Sequence, residues 1–162
     1  MRVAIIDLGT NSVRFDVHQF GPKNLKQLLH REKMMVRLGQ GVFATGKLNR
    51  EAIRRTVLAF QSFQKTSGEM RVDRMVAFGT AALREAGDGQ IFVETIKEKT
   101  GIEIQVISGA EEARLIALGV LKNEKRAKGR HGLIDIGGGS TEITICLDKT
   151  PVVGASFSLG TA

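Results

Sequence analysis

The sequence predicts an α/β fold in which a mixed sheet opens as a meander and is completed by strand–helix crossovers. Three observations carry that prediction. Apolar runs alternate with period two at the start of the chain and give way to helical spacing further on. Turn and cap residues (Gly, Pro, Asn, Asp, Ser) fall between these runs. One short pattern also occurs twice: Ile6-Asp7-Leu8-Gly9-Thr10-Asn11-Ser12 returns as Ile134-Asp135-Ile136-Gly137-Gly138-Gly139-Ser140-Thr141. Each copy is flanked by β-branched and apolar residues and reads as strand, tight Gly-rich turn, strand, with an Asp at the mouth of the turn.

The elements follow in order. Residues 2–8 and 13–20 make a strand pair about the first turn, and Gly21-Pro22-Lys23-Asn24 signals the next one. Residues 25–37 offer a third strand, although Leu28-Leu29 and Met34-Met35 interrupt its alternation. Asn49 is placed to cap a helix with Ile53, Val57, Phe60 and Phe63 at helical spacing. Phe60, Phe63, Met34 and Met35 are expected in the core. Residues 72–78 alternate and end at Gly79, giving a fourth strand. Asp88 can cap a helix through Ile91, Val93, Ile96 and Thr100, stopped by Gly101. Residues 102–107 are a fifth strand, and Ser108 opens a further helix to about residue 125. The order βββαβαβα suits a ribonuclease-H-like layout, a mixed sheet with helices on both faces.

Residues 122–130 are polar, basic and Gly-containing, and read as a linker. Beyond them come only strands, at 132–136, 141–147 and 151–158, with Asp148-Lys149 turning the last pair. They repeat the opening meander, and the sequence stops at Gly160-Thr161-Ala162 without further helices. The expected organisation is a first domain at 1–126, then a linker and the truncated start of a second such domain at 127–162. A meander without its helices exposes apolar surface and strand edges. It predicts a need for the missing C-terminal half of the fold, a homodimer or local mobility through this segment, and little activity.

Composition sets the bounds on function. At 162 residues the chain holds one full domain and is short for two. Its 42% hydrophobic and 25% charged content describes a soluble globular protein. The longest N-terminal apolar run, residues 3–6, is too short for a signal peptide or a membrane span. The lone Cys146 cannot form an internal disulfide, which fits a reducing, cytoplasmic location. His18, His30 and His131 are scattered, and no Cys/His cluster suggests zinc. The net charge of +7 points to an anionic ligand or simply to a basic surface. With no Trp or Tyr, base-stacking recognition of nucleic acid is poorly supplied.

Two Gly-rich turns facing each other would make a phosphate clamp. Thr10, Asn11 and Ser12, with Gly137, Gly138, Gly139, Ser140 and Thr141, form the candidate cradle. Glycines permit left-handed backbone and close approach, and the hydroxyls add donors without bulk. Asp135 and Glu142 lie on the two arms of the second hairpin and could converge on a hydrated Mg²⁺, a hard cation that prefers oxygen ligands. Glu142 is otherwise an outward polar residue of a strand. Asp7 is the symmetric partner for metal or water; alternatively it caps its own turn. Arg84 follows Gly79-Thr80-Ala81-Ala82 at a strand exit and could grip phosphate, or lie on a helix surface. Arg37, beside Gly39 and Gly41, could contact substrate or be merely solvated. Lys122, Lys125, Arg126, Lys128 and Arg130 could track a long polyanion, although a solvated helix end and linker explain them as well. Ser108-x-x-Glu111 reads as a capping box, whereas Glu112 lies about 100° further round the helix. A carboxylate at that helix mouth can take a proton from an attacking water.

Several blocks resemble the Ppx/GppA phosphatase family, exopolyphosphatases and guanosine pentaphosphate phosphohydrolases, within the actin–sugar kinase–Hsp70 superfamily. They are Asp7-Leu8-Gly9-Thr10-Asn11-Ser12, Val36-Arg37-Leu38-Gly39-Gln40-Gly41, Gly79-Thr80-Ala81-Ala82-Leu83-Arg84-Glu85-Ala86, Ile107-Ser108-Gly109-Ala110-Glu111-Glu112-Ala113-Arg114-Leu115-Ile116 and Ile134-Asp135-Ile136-Gly137-Gly138-Gly139-Ser140-Thr141-Glu142. The resemblance implies Mg²⁺-assisted hydrolysis of a terminal phosphoanhydride in polyphosphate or pppGpp. It implies that the second Glu of the Ser-Gly-x-Glu-Glu-Ala block, Glu112, is the general base. Family members continue past the point where this sequence ends. A kinase of the same superfamily and a non-catalytic phosphate- or nucleotide-binding module are the rival expectations.

Overall fold

The computed structural model describes residues 1–22 and 26–161. Part of the turn expected at 21–24, the first residue of the expected third strand (Leu25) and the terminal Ala162 lie outside the described residues. The chain forms two compact units, Met1–Val106 and Ile107–Ala162.

The first unit begins with the meander β1 (Arg2–Leu8), β2 (Val13–Phe20) and β3 (Lys26–Met34). It continues through α1 (Val42–Thr45), α2 (Arg50–Glu69), β4 (Arg74–Gly79), α3 (Ala81–Glu85), α4 (Gly89–Thr100) and β5 (Ile104–Val106). The strand order is β3-β2-β1-β4-β5. The meander pairs are antiparallel, while β1–β4 and β4–β5 are parallel, which is the mixed sheet the sequence predicts. Alternate residues of β1 and β2 (Ala4, Ile6, Leu8; Val13, Phe15, Val17) share one core with Phe60 and Phe63 of α2 and Phe92 and Ile96 of α4. Phe15 stacks on Phe63 with ring centroids 4.7 Å apart. Met34 packs against this core, but Met35 is exposed, because the strand ends before it.

The intervening positions of β2 carry a buried polar pair, Asp16 and His18. Arg31 Nε and Nη2 donate to the two carboxylate oxygens of Asp16 at 2.9 and 2.7 Å. Those hydrogen bonds hold the Asp16 carboxyl below its ordinary range, and burial holds the His18 imidazole below its own.

Local sequence fixes several boundaries. Asn49 Oδ1 accepts from the Glu51 and Ala52 N–H groups at 2.9 and 3.3 Å, capping α2 as expected. Gly101 takes the left-handed conformation (φ 70°) and closes α4. Asp88 does not cap α4 with its side chain: its carboxylate accepts instead from the Leu48 N–H at 3.0 Å, tying the approach to α2 to the start of α4. The third strand stops at Met34 rather than residue 37, since the chain there turns back onto the first hairpin. The short helices α1 and α3 give no periodicity to read.

The second unit contains α5 (Gly109–Asn123), β6 (Arg130–Ile136), β7 (Thr141–Leu147) and β8 (Thr150–Phe157). Its three strands form an antiparallel sheet in the order β6-β7-β8. The expected division after residue 126 is not where the contacts divide, because α5 packs with β7 and β8 inside this unit. Ala113, Ala117 and Leu121 recur every four residues along one stripe of α5, and Ala117 and Leu121 bury against Cys146, with Leu133 packed alongside. Thr144 Oγ1 donates to the Ala113 carbonyl at 3.3 Å, and Gly154 leaves room for the Ala113 methyl. Periodicity shows which face of a helix is buried, but not which sheet it meets. The second meander thus has a helix over one face. The other face presents Ile134, Ile136, Ile145, Val153 and Phe157 to solvent, Ile134 at 67% exposure. The connection from α5 to β6 is pinned by the Gly129 N–H, which donates to Asp148 Oδ1 at 2.8 Å in the β7–β8 turn. Among the described residues no helix is long and apolar enough to cross a membrane.

Candidate active site

The two repeated turns close in the same way, each within its own unit. The Gly9 N–H donates to the Ser12 carbonyl at 3.0 Å, and the Gly137 N–H donates to the Ser140 carbonyl at 2.8 Å. Left-handed backbone is not their reason for glycine: among the described residues the positive-φ glycines are Gly41, Gly46, Gly101 and Gly129. At Gly137 proximity is the reason: a Cβ there would stand 3.1 Å from the Ser140 carbonyl oxygen, whereas one at Gly9 would make an ordinary contact of 3.4 Å with that of Ser12.

Each turn is also strapped by a Leu-Gly pair just past the third strand of its meander. In the first unit, Arg37 N–H donates to the Asn11 carbonyl at 2.8 Å and Gly39 N–H to the Thr10 carbonyl at 2.9 Å. In the second, Thr161 N–H donates to the Gly137 carbonyl at 3.1 Å, and Thr141 Oγ1 to the Leu159 carbonyl at 2.7 Å. A Cβ at Gly39 would overlap the Thr10 side chain, and one at Gly160 the Gly138 backbone. Leu38-Gly39 and Leu159-Gly160 are therefore a further part of the duplication. Leu38-Gly39 lies within one of the family-like blocks, but its match to Leu159-Gly160 rests on their shared place after the third strand.

In the first unit the structure gathers Thr10, Asn11, Ser12 and Arg37 through these backbone bonds. Arg37 itself is exposed and has left-handed backbone (φ 50°). Thr80 N–H donates to the Leu8 carbonyl at 3.3 Å, which brings the start of α3, the helix that carries Arg84, to the end of β1. Asp7 is exposed on β1 opposite Arg14. Thr10 is buried.

In the second unit, one row of side chains crosses the sheet. Asp135 of β6 stands opposite Glu142 of β7, which stands opposite Ser156 of β8. Asp135 is exposed, whereas Glu142 is 3% exposed and is not the outward strand residue it could have been. Ser156 Oγ donates to Glu142 Oε1 at 2.7 Å. Ser140 is buried at the turn.

The first turn of α5 holds the two adjacent glutamates. Ser108 Oγ accepts from the Glu111 N–H at 3.2 Å, so half of the expected capping box forms. The other half does not: the Glu111 carboxylate is taken by Arg114 Nε and Nη2 at 2.7 and 2.8 Å, a charge-assisted pair that outcompetes a neutral backbone donor. Those bonds pull the Glu111 carboxyl below its ordinary value. Glu112 follows, half-buried, with its N–H bonded to the Ser108 carbonyl at 2.9 Å. Lys122, Lys125, Arg126, Lys128 and Arg130 are all exposed, and Arg126 pairs with Glu124.

Among the described residues no group of three or more His, Cys, Asp or Glu could hold a metal ion. Asp135 and Glu142 remain a cross-strand pair of hard oxygen donors. Like charges directly opposite on a sheet repel each other, and a cation between them would relieve that repulsion. Mg²⁺ suits so small a set, since it retains waters and commonly uses one or two carboxylates together with substrate phosphates.

Comparison with known proteins adds to this geometry. Residues 17–162 match the model of the Ppx/GppA phosphatase family. The chain is 30% identical over 160 residues to Exopolyphosphatase 1 of Mycobacterium leprae, covering 99% of this chain and 47% of that protein. It is 36% identical over 152 residues to Exopolyphosphatase 2 of Mycobacterium tuberculosis, covering 89% of this chain and 48% of that protein. The crystal structure of an exopolyphosphatase from Cytophaga hutchinsonii superimposes with a TM-score of 0.93 at 31% identity, covering 99% of this chain and 51% of that one. The chain spans about half the length of the curated relatives it matches.

Proposed function

The chain belongs to the Ppx/GppA phosphatase family, and from that premise we propose that it releases terminal phosphate from inorganic polyphosphate or pppGpp. The observation that carries the reading is the duplicated Asp-x-Gly hairpin, closed by the same N–H···O bond in both units. Turns of this kind present backbone N–H groups and hydroxyls to phosphate oxygens. Each hairpin is a proposed phosphate cradle within its own unit, Thr10, Asn11 and Ser12 in the first and Gly137 to Thr141 in the second. Arg37 and Arg84 are proposed to add charge at the first hairpin, as a guanidinium grips phosphate bidentately.

Glu112 is the proposed general base. Its carboxylate takes a proton from a water whose oxygen attacks the terminal phosphorus. The bond from that phosphorus to the bridging oxygen breaks, and the chain shortened by one phosphate leaves. Asp135 and Glu142 would hold Mg²⁺, with Asp7 a further candidate. The ion would offset the negative charge of the phosphoryl oxygens. The rest of catalysis is positioning and charge stabilisation by the hairpin donors.

We further propose that this chain alone is weakly active and that the exposed apolar face of β6–β8 takes a second polypeptide layer. Its supports are the solvent-facing Ile134, Ile136 and Val153 and the half-length match. The test is phosphate release from polyphosphate and from pppGpp, by the chain alone and fused to the C-terminal half of a solved relative. Release in the fused form, with one substrate preferred, supports the reading. Tight binding of both substrates with no release in either form would favour a non-catalytic module.

A further inference from the structure

We propose that Ser156 is a positioning residue that fixes the Glu142 carboxylate for a divalent cation, and that Gly109 is what allows it to do so. The inference rests on the reading of Asp135 and Glu142 as metal-holding residues. It concerns a serine on β8 that lies outside both repeated hairpins.

Glu142 is 3% exposed, and a carboxylate so placed needs a hydrogen-bond donor. Among the described residues its donor is the Ser156 hydroxyl, at 2.7 Å from Oε1. The two residues are register partners, so β8 delivers the hydroxyl to the same face and the same level as the carboxylate. One carboxylate oxygen is thereby held in place, which narrows the orientations open to the group. Asp135, the register partner on the other side, completes the row.

Ser156 keeps this position only because the residue above it has no side chain. A Cβ on Gly109, the first residue of α5, would overlap the Ser156 Cβ and come within 2.8 Å of its Oγ. Glycine is a poor helix former, and its use here answers a steric demand rather than a helical one. The same glycine lies beside the glutamates of the first turn, so the fit of α5 onto β8 and the orientation of Glu142 depend on one contact. Groups that orient metal-binding side chains in this way commonly contribute 10–100-fold to metal affinity (about that order).

The test uses the chain as it is, with Mn²⁺ alone as the probe, by calorimetry and by electron paramagnetic resonance of the unbound ion. Wild type, Glu142→Gln, Asp135→Asn, Ser156→Ala, Gly109→Ala and the Gly109→Ala/Ser156→Ala double variant are compared, each with a urea unfolding curve as a folding control. The expectation is that wild type binds Mn²⁺ and that Glu142→Gln and Asp135→Asn lose it. Ser156→Ala should raise the dissociation constant about tenfold or more. Gly109→Ala should do the same, and the double variant no more than either single change, because both act through one hydroxyl. A merely structural role would instead lower the urea midpoint and leave Mn²⁺ affinity unchanged. Ser156→Ala within twofold of wild type, with Glu142→Gln still deficient, overturns the positioning role alone. No Mn²⁺ binding by folded wild type overturns the metal reading and the positioning role with it.

Discussion

Removing the cap of α5 loosens the turn that carries the proposed base. In Ser108→Ala the Glu111 N–H loses its 3.2 Å acceptor, while the Glu112 N–H keeps the Ser108 carbonyl. Loss of a serine N-cap costs about 1 kcal/mol, which at room temperature is roughly a fivefold rise in the opening equilibrium of that turn. The rest of the helix is held elsewhere, since Ala113, Ala117 and Leu121 are buried. The effect is therefore local. Amide hydrogen exchange reads it directly: Glu111 and Glu112 should exchange about fivefold faster, with Ala117 to Leu121 unchanged. Ser108→Asp keeps an acceptor and places a negative charge at the helix N-terminus, so protection should match or exceed that of wild type. Unchanged exchange in Ser108→Ala, or equal loss in Ser108→Asp, would refute the cap as the element that holds Glu112 in place.

Phe63→Ala should destabilise the first unit by about 3–5 kcal/mol, because the ring is fully buried and stacked on Phe15. Urea unfolding followed by helical circular dichroism measures it, and a loss below about 1.5 kcal/mol would contradict the packing. Acid should destabilise the same unit in two stages. His18 is held below its ordinary 6.5 by burial, so it contributes stability that begins to fall as pH drops below that value. Asp16 is held below its ordinary 3.8 by Arg31, so its contribution is present above that pH and goes as pH falls through the lower folded value. Melting temperatures from pH 7.5 downward check the sign, and a rise in Tm between pH 7 and 5 would contradict it.

What could be read from the sequence was what neighbouring residues decide. The meanders, the two turns, the Asn49 cap, the Gly101 stop and the start of α5 at Ser108 all follow from local chemistry, and the structure has them. The errors lie where a side chain finds another partner than the backbone of its own cap. Asp88 turns to the Leu48 N–H, and Glu111 turns to Arg114. The contacts divide ahead of α5 rather than near 126 because Gly109 and Ala113 of α5 fit closely against Ser156 and Gly154 of β8, which no reading of α5 by itself could reveal. Ser156 was missed because a single serine on an alternating strand carries no signal until its register with Glu142 is known.

The central claim, hydrolysis with Glu112 as base, meets its most direct test in phosphate release from polyphosphate with Mg²⁺ present. Wild type is compared with Glu112→Gln, each alone and fused to the C-terminal half of a solved relative, with substrate affinity measured in parallel. The expected result is release by fused wild type, a loss of roughly 10²–10⁴ in rate for Glu112→Gln, and substrate affinity unchanged within a few-fold. Equal rates from the two proteins, or no release by wild type in either form, would contradict it.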